Sequence, residues 1–140
     1  MQRKINKDIL KELFVEYNDL YFNSMLKTPR FGTYKGMTAL GTLFTWKDNV
    51  KRPKLEIATN VDWTEVSLRS VLVHEMVHLY LWQTDKDGDR RHGKRFKAVM
   101  RRLNENYNLG VKTRNSEIHY NDRKPVIQRI WNKIRQIVNH

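Results

Sequence analysis

From Val71 to Trp82 every residue is apolar or aromatic except His74, Glu75 and His78. A run of this length without glycine or proline reads as a helix apolar on nearly every side, and such a helix has to be buried. Three ionisable groups inside it are costly unless something compensates them. Their spacing suggests what does: residues four apart share one helical face, so both imidazoles of His74-Glu75-Met76-Val77-His78 can reach a single cation. Glu75, next to the first imidazole, can then serve as general base toward a water at that cation. The expected ion is one Zn2+, which requires a third protein ligand if a position is to stay open for solvent. The chain contains no cysteine, so the candidates are His92, His119, His140 or a carboxylate. His92 is the best of them. It follows a glycine-bearing polar turn that can fold the chain back toward the open side of the ion, and Gly93 behind it would let the backbone approach closely.

The absence of cysteine also excludes disulfide scaffolds, thiolate zinc sites and cysteine nucleophiles. Lys+Arg 27 against Asp+Glu 15 gives a net charge of +12 over 140 residues, an imbalance that favours a polyanionic partner. The sharpest concentration is Arg90, Arg91, Lys94, Arg95, Lys97, Arg101 and Arg102, a stretch without an acid. It is either a solvated helix face or a nucleic-acid contact. No segment is apolar enough to span a membrane, and the start, MQRKINKDILKELF, has no uninterrupted apolar core. A cytoplasmic, intracellular chain acting as a monomer is therefore expected.

The rest of the chain reads as α+β. An amphipathic helix covers 7–23, with Asn6 as N-cap and Asp8 at the positive end of the dipole. Strands are expected near 30–35, 38–46 and 53–59, where Thr, Tyr, Phe, Trp and Val cluster between glycines. The apolar helix should begin near Asp62, with Asp62 and Glu65 as a capping box, and end near Trp82. A third helix follows from about Gly93 to Asn106, with Phe96, Val99, Met100 and Leu103 as its apolar stripe and Gly110 as its stop. Pro125 opens a final amphipathic, basic helix through Val138. Trp63 and Trp82 read as core, whereas Trp46 is either a packing residue or a base-stacking surface.

The segments HEMVHLYLW and RHGKRFKAVMRRL, together with LKELFVEYNDLYFNSMLKTPRF and LEIATNVDW, resemble the SprT-like zinc metalloprotease domain, which also occurs in Spartan-type proteases. The resemblance spans roughly residues 7 to 110. It implies a zincin-like fold: an N-terminal helix, a small three-stranded, mostly antiparallel sheet, the HExxH helix and a further helix. It implies His74, His78 and His92 as zinc ligands and Glu75 as the catalytic glutamate. Many members carry a cysteine-rich zinc ribbon after the protease domain, and in its place this chain has a basic segment.

The expected organisation is thus a SprT-like metallopeptidase domain over 1–110 and a basic extension over 111–140 docked on it. The expected activity is zinc-dependent endopeptidase chemistry on a protein substrate, with DNA-associated proteins favoured by the charge. The alternative is a zinc-stabilised nucleic-acid-binding module without proteolysis. Tyr107 and Tyr120 are candidates for stabilising the oxyanion.

Overall fold

The computed structural model describes residues 4–46, 52–84, 92–113, 115, 117–122 and 134. Helix α1 (Lys7–Phe22) starts as its sequence predicts, with the Asn6 side chain accepting the Ile9 N–H at 2.9 Å and Asp8 in the first turn. It ends at Asn23, whose left-handed backbone closes the last turn. Leu10, Leu13, Phe14, Tyr17 and Phe22 form its buried stripe. Phe14 meets Phe31 edge-on at 5.5 Å between ring centres, which ties α1 to the first strand.

Three short strands follow: β1 (Arg30–Tyr34), β2 (Gly41–Phe44) and β3 (Lys54–Ala58). Their order is β1-β3-β2. The expectation of a mostly antiparallel sheet is corrected here, because the sheet is mixed: β2 pairs antiparallel with β3, and β1 pairs parallel with it. The chain reverses after β1 and again after β2, so β1 and β3 point the same way. Placing β3 in the centre makes one of the two ladders parallel. β3 takes that place as the strand with most to bury, since Leu55, Ile57 and Ala58 are fully inaccessible.

Helix α2 (Glu65–Thr84) packs beneath this sheet. It begins later than the Asp62 expected. Thr64 and Ser67 cap it reciprocally: the Thr64 hydroxyl accepts the Ser67 N–H and the Ser67 hydroxyl accepts the Thr64 N–H, both at 3.0 Å. Asp62 instead accepts from the Asn121 side chain. The intervening Trp63 is fully buried and donates its indole N–H to the Ala58 carbonyl at 2.7 Å. That bond fixes 61–63 as a connector between β3 and the helix. As the apolar run requires, α2 is buried at Leu68, at every position from Ser70 to Leu79, and at Leu81.

Helix α3 (Lys94–Tyr107) buries Phe96, Val99, Met100 and Leu103, the predicted stripe. Its C-cap is the left-handed Asn108, two residues before the expected Gly110. The chain then returns across the molecule. Val111 is buried, Tyr120 bridges to Val61, and Asn121 N–H donates to the Asn60 carbonyl at 2.7 Å. Gly36 admits the Tyr120 ring, because a Cβ there would collide with it. The basic helix expected from Pro125 to Val138, including Trp131, lies outside the described residues apart from Ile134. Of the other tryptophans, Trp82 packs partly buried against the core, and Trp46 lies under the Arg30 guanidinium at 5.2 Å.

Candidate metal centre

Helical geometry alone brings His74 and His78 together. One turn apart on α2, their ring centres are 5.1 Å apart, and both side chains are buried. His92 stands immediately before α3. Its ring centre lies 4.8 Å from that of His74 and 5.2 Å from that of His78. The backbone freedom expected of Gly93 falls on His92 itself, whose φ is +63, while Gly93 has an ordinary φ of −73. A left-handed conformation at a non-glycine residue costs on the order of 1 kcal/mol and persists where its surroundings enforce it.

One ring nitrogen from each histidine of the triad lies within 4.8 Å of the other two, and the His74 and His92 Nε2 atoms are 3.0 Å apart. Tetrahedral coordination with Zn–N bonds of roughly 2.0–2.1 Å implies an N···N edge of about 3.3 Å, so this pair already has the separation of two ligands on one ion. Tautomer chemistry agrees. His74 Nδ1 lies 2.9 Å from the Lys112 carbonyl. A carbonyl only accepts, so Nδ1 carries the proton and Nε2 turns its lone pair toward His92. Among the described residues, this is the group in which three such donors converge. His119 is exposed and outside it, and His140 lies outside the described residues. The donor set fits a divalent metal of zinc type.

Phe96 completes the apolar side of the centre. Its ring lies 4.9, 4.4 and 4.8 Å from the rings of His74, His78 and His92. From sequence it was simply one member of the α3 stripe; its contact with all three imidazoles has no linear signature. Glu75 is buried against the edge strand. A Cβ on Gly41 would lie 3.3 Å from Glu75 Cγ and 3.1 Å from Val71 Cγ1, so glycine at the start of β2 lets that strand close over the glutamate. Nearby, Tyr34 donates its hydroxyl to the Ala39 carbonyl at 2.6 Å. Burial, then the neighbouring Tyr120, Glu75 and Glu56, raise the Tyr34 pKa well above the usual phenol value. It therefore stays a neutral donor and fastens the turn that leads into β2.

The remaining candidates separate. Tyr107 is exposed and packs its ring on Tyr21 at 5.1 Å, whereas the Tyr120 ring lies against Gly36. Lys94, Arg95, Lys97, Arg101 and Arg102 are all exposed on α3, and Arg90 and Arg91 lie outside the described residues. At 3.6 residues per turn these five do not form one patch. Lys94, Lys97 and Arg101 run along one flank of the apolar stripe, and Arg95 and Arg102 along the other.

The model of the SprT-like family matches residues 10–121. The chain belongs to the SprT-like family. Curated relatives include the DNA-dependent metalloprotease SPRTN of Rattus norvegicus and of Mus musculus, each 30% identical over 104 residues and covering 69% of this chain. The Homo sapiens protein of the same name is 30% identical over 103 residues. The SprT-like chain spans about a fifth of the length of these relatives, which are metalloproteases by name. Their match covers the part of the chain that carries the three imidazoles. Among the described residues no helix is long and apolar enough to cross a membrane.

Proposed function

We propose that this SprT-like chain is a zinc-dependent endopeptidase domain of zincin-like build. The observation that carries the reading is the convergence of His74, His78 and His92 beside a buried glutamate on the same helix. The three imidazoles would hold the ion and leave a position open for solvent. When bound, zinc supplies Lewis acidity toward a carbonyl and lowers the pKa of a coordinated water toward neutrality. The chain's own residues do the rest. Glu75 takes a proton from the attacking water and passes it to the leaving amine as the C–N bond breaks. The Lys112 carbonyl keeps His74 in the tautomer that presents Nε2, and Phe96 excludes water from the back of the imidazoles. The substrate class we infer is protein associated with DNA. It rests on the net charge of +12, the basic α3 beside His92, and the activity for which the relatives are named.

Glu75→Gln tests the mechanism. It should lower cleavage of a DNA-bound protein or casein by about 10²–10⁴-fold while zinc content stays at the wild-type value. Equal cleavage by wild type and variant would remove Glu75 from the chemistry. Wild-type protein that binds zinc and oligonucleotide but cleaves nothing would favour the binding-module alternative.

A further inference from the structure

The Lys112 carbonyl that meets His74 is the last link in a set of restraints that begins on α3. After α3 the backbone reverses through two left-handed residues, Asn108 with φ +54 and Gly110 with φ +66. The reversal returns Val111 to the helix the chain has just left. There the Asn104 amide donates to the Val111 carbonyl at 2.9 Å, and its oxygen accepts the Val111 N–H at 2.8 Å. One residue on, the Lys112 carbonyl lies 2.9 Å from His74 Nδ1. Further along, the Asn115 side chain accepts the Ser70 hydroxyl at 3.2 Å. Val111 is thus tied to α3 and Asn115 to α2, with the His74 contact between the two ties. We propose that Asn104 is a positioning residue of the metal centre: by clamping Val111 it aims the Lys112 carbonyl, and through that carbonyl it orients the His74 imidazole.

Peptide geometry explains how the clamp reaches the imidazole. Holding both the N–H and the C=O of Val111 orients the two planar peptide units that flank it. The Lys112 carbonyl then turns only with that residue's own φ and ψ, and the buried Val111 side chain anchors the segment further. Asparagine suits the task because its amide offers an acceptor and donors together, as a peptide group does. Aspartate would lose the donor, and an aliphatic residue both bonds. As a weak helix former, asparagine gains α3 nothing by propensity. The same grip recurs at Asn18 on Leu26, at 3.0 and 3.1 Å, and at Asn60 on Gly36, at 3.0 and 2.7 Å. Those two fasten the turn after α1 and the turn before β2. Of the three, Asn104 is the one whose clamped residue is followed by a carbonyl on an imidazole. Outer partners that orient a ligand change metal affinity by roughly 10–100-fold when removed, and Asn104, acting at one remove, belongs at the lower end of that range. The proposal rests on the triad being a metal centre and not on peptidase activity.

Three readouts report on the centre without any substrate: zinc affinity by chelator competition, the visible spectrum of the Co2+-substituted chain, and the exchange rate of the His74 Nδ1 proton in the zinc-loaded chain. Circular dichroism and thermal unfolding follow the fold of each variant. Asn104→Ala should weaken zinc binding about tenfold, shift the Co2+ bands and speed exchange of that proton. Asn18→Ala removes an equivalent pair of bonds from a more deeply buried amide. It should lower the unfolding temperature at least as much, and leave zinc affinity and the Co2+ spectrum at wild-type values. Asn104→Asp keeps the acceptor for the Val111 N–H and gives up the donor, so its zinc affinity should fall between wild type and Asn104→Ala. If Asn104→Ala does not fold, Asn104→Asp carries the test alone. Wild-type zinc affinity in either Asn104 variant, or an equal loss in Asn18→Ala, would overturn the positioning role. Weakened zinc binding in Asn104→Ala, set against a wild type that cleaves nothing, supports the role and removes only the peptidase reading. A wild type that binds no zinc overturns the metal centre and this role together.

Discussion

Helix α2 brings His74 and His78 to the centre from a backbone buried on almost every side, whereas α3 reaches the same centre from a surface lined with cations. The first helix brings two imidazoles to one face by helical repeat alone, and its surroundings leave little room for adjustment. The second contributes no imidazole from within its own turns. His92 stands just before it in a left-handed conformation, and α3 supplies Phe96 beneath the imidazoles and charge toward solvent. On the proposed function, chemistry would be rooted in the buried helix and partner recognition on the exposed one. The two communicate through backbone and side-chain contacts at the triad and at Lys112.

That contrast predicts unequal responses to substitution. The greatest loss should come from Glu75→Gln on α2, the change of about 10²–10⁴-fold in cleavage with zinc retained; a comparable loss of zinc would make Glu75 structural instead. Next comes Phe96→Ala, which removes the ring shared by all three imidazoles. It should destabilise the fold by about 3–5 kcal/mol in denaturant unfolding and weaken zinc binding as well. A stability loss with zinc affinity intact would separate the α3 core from the centre. Lys97→Glu combined with Arg101→Glu, on the exposed side of α3, should leave stability nearly unchanged and weaken oligonucleotide binding in an anisotropy titration. The smallest effect should be at α1, remote from both helices' shared site. Asn6→Ala removes the cap on Ile9 and should cost about 1 kcal/mol of stability with zinc affinity at the wild-type value.

The α2 side of this comparison was the more legible in sequence. An unbroken apolar run announces burial, and a four-residue spacing announces a shared face, so His74, Glu75 and His78 could be singled out without knowing what surrounds them. His92 was accessible by asking what else could bind a metal in a chain without cysteine, and through the resemblance carried by RHGKRF. Its positive φ was not accessible at all, since His92 adopts it under tertiary constraint. The start of α2 was misread, because Asp62-x-x-Glu65 has the spacing of a cap while Thr64-x-x-Ser67 forms it. The Trp63 indole bond to Ala58, a contact across elements, decides for the second. Strand order was missed for the same reason: alternation shows which residues face inward but not which strand sits between the others. The Lys112 carbonyl carries no signal whatever, because every residue has one. Its role depends on Asn104 clamping the neighbouring Val111.

The most direct measurement of the metal reading is an anomalous difference map at the zinc edge from crystals of the purified chain. The account predicts one peak, about 2.0–2.1 Å from a ring nitrogen of each of His74, His78 and His92. Absence of density there from zinc-loaded protein, or a peak coordinated by His74 and His78 with His92 turned away, would contradict it.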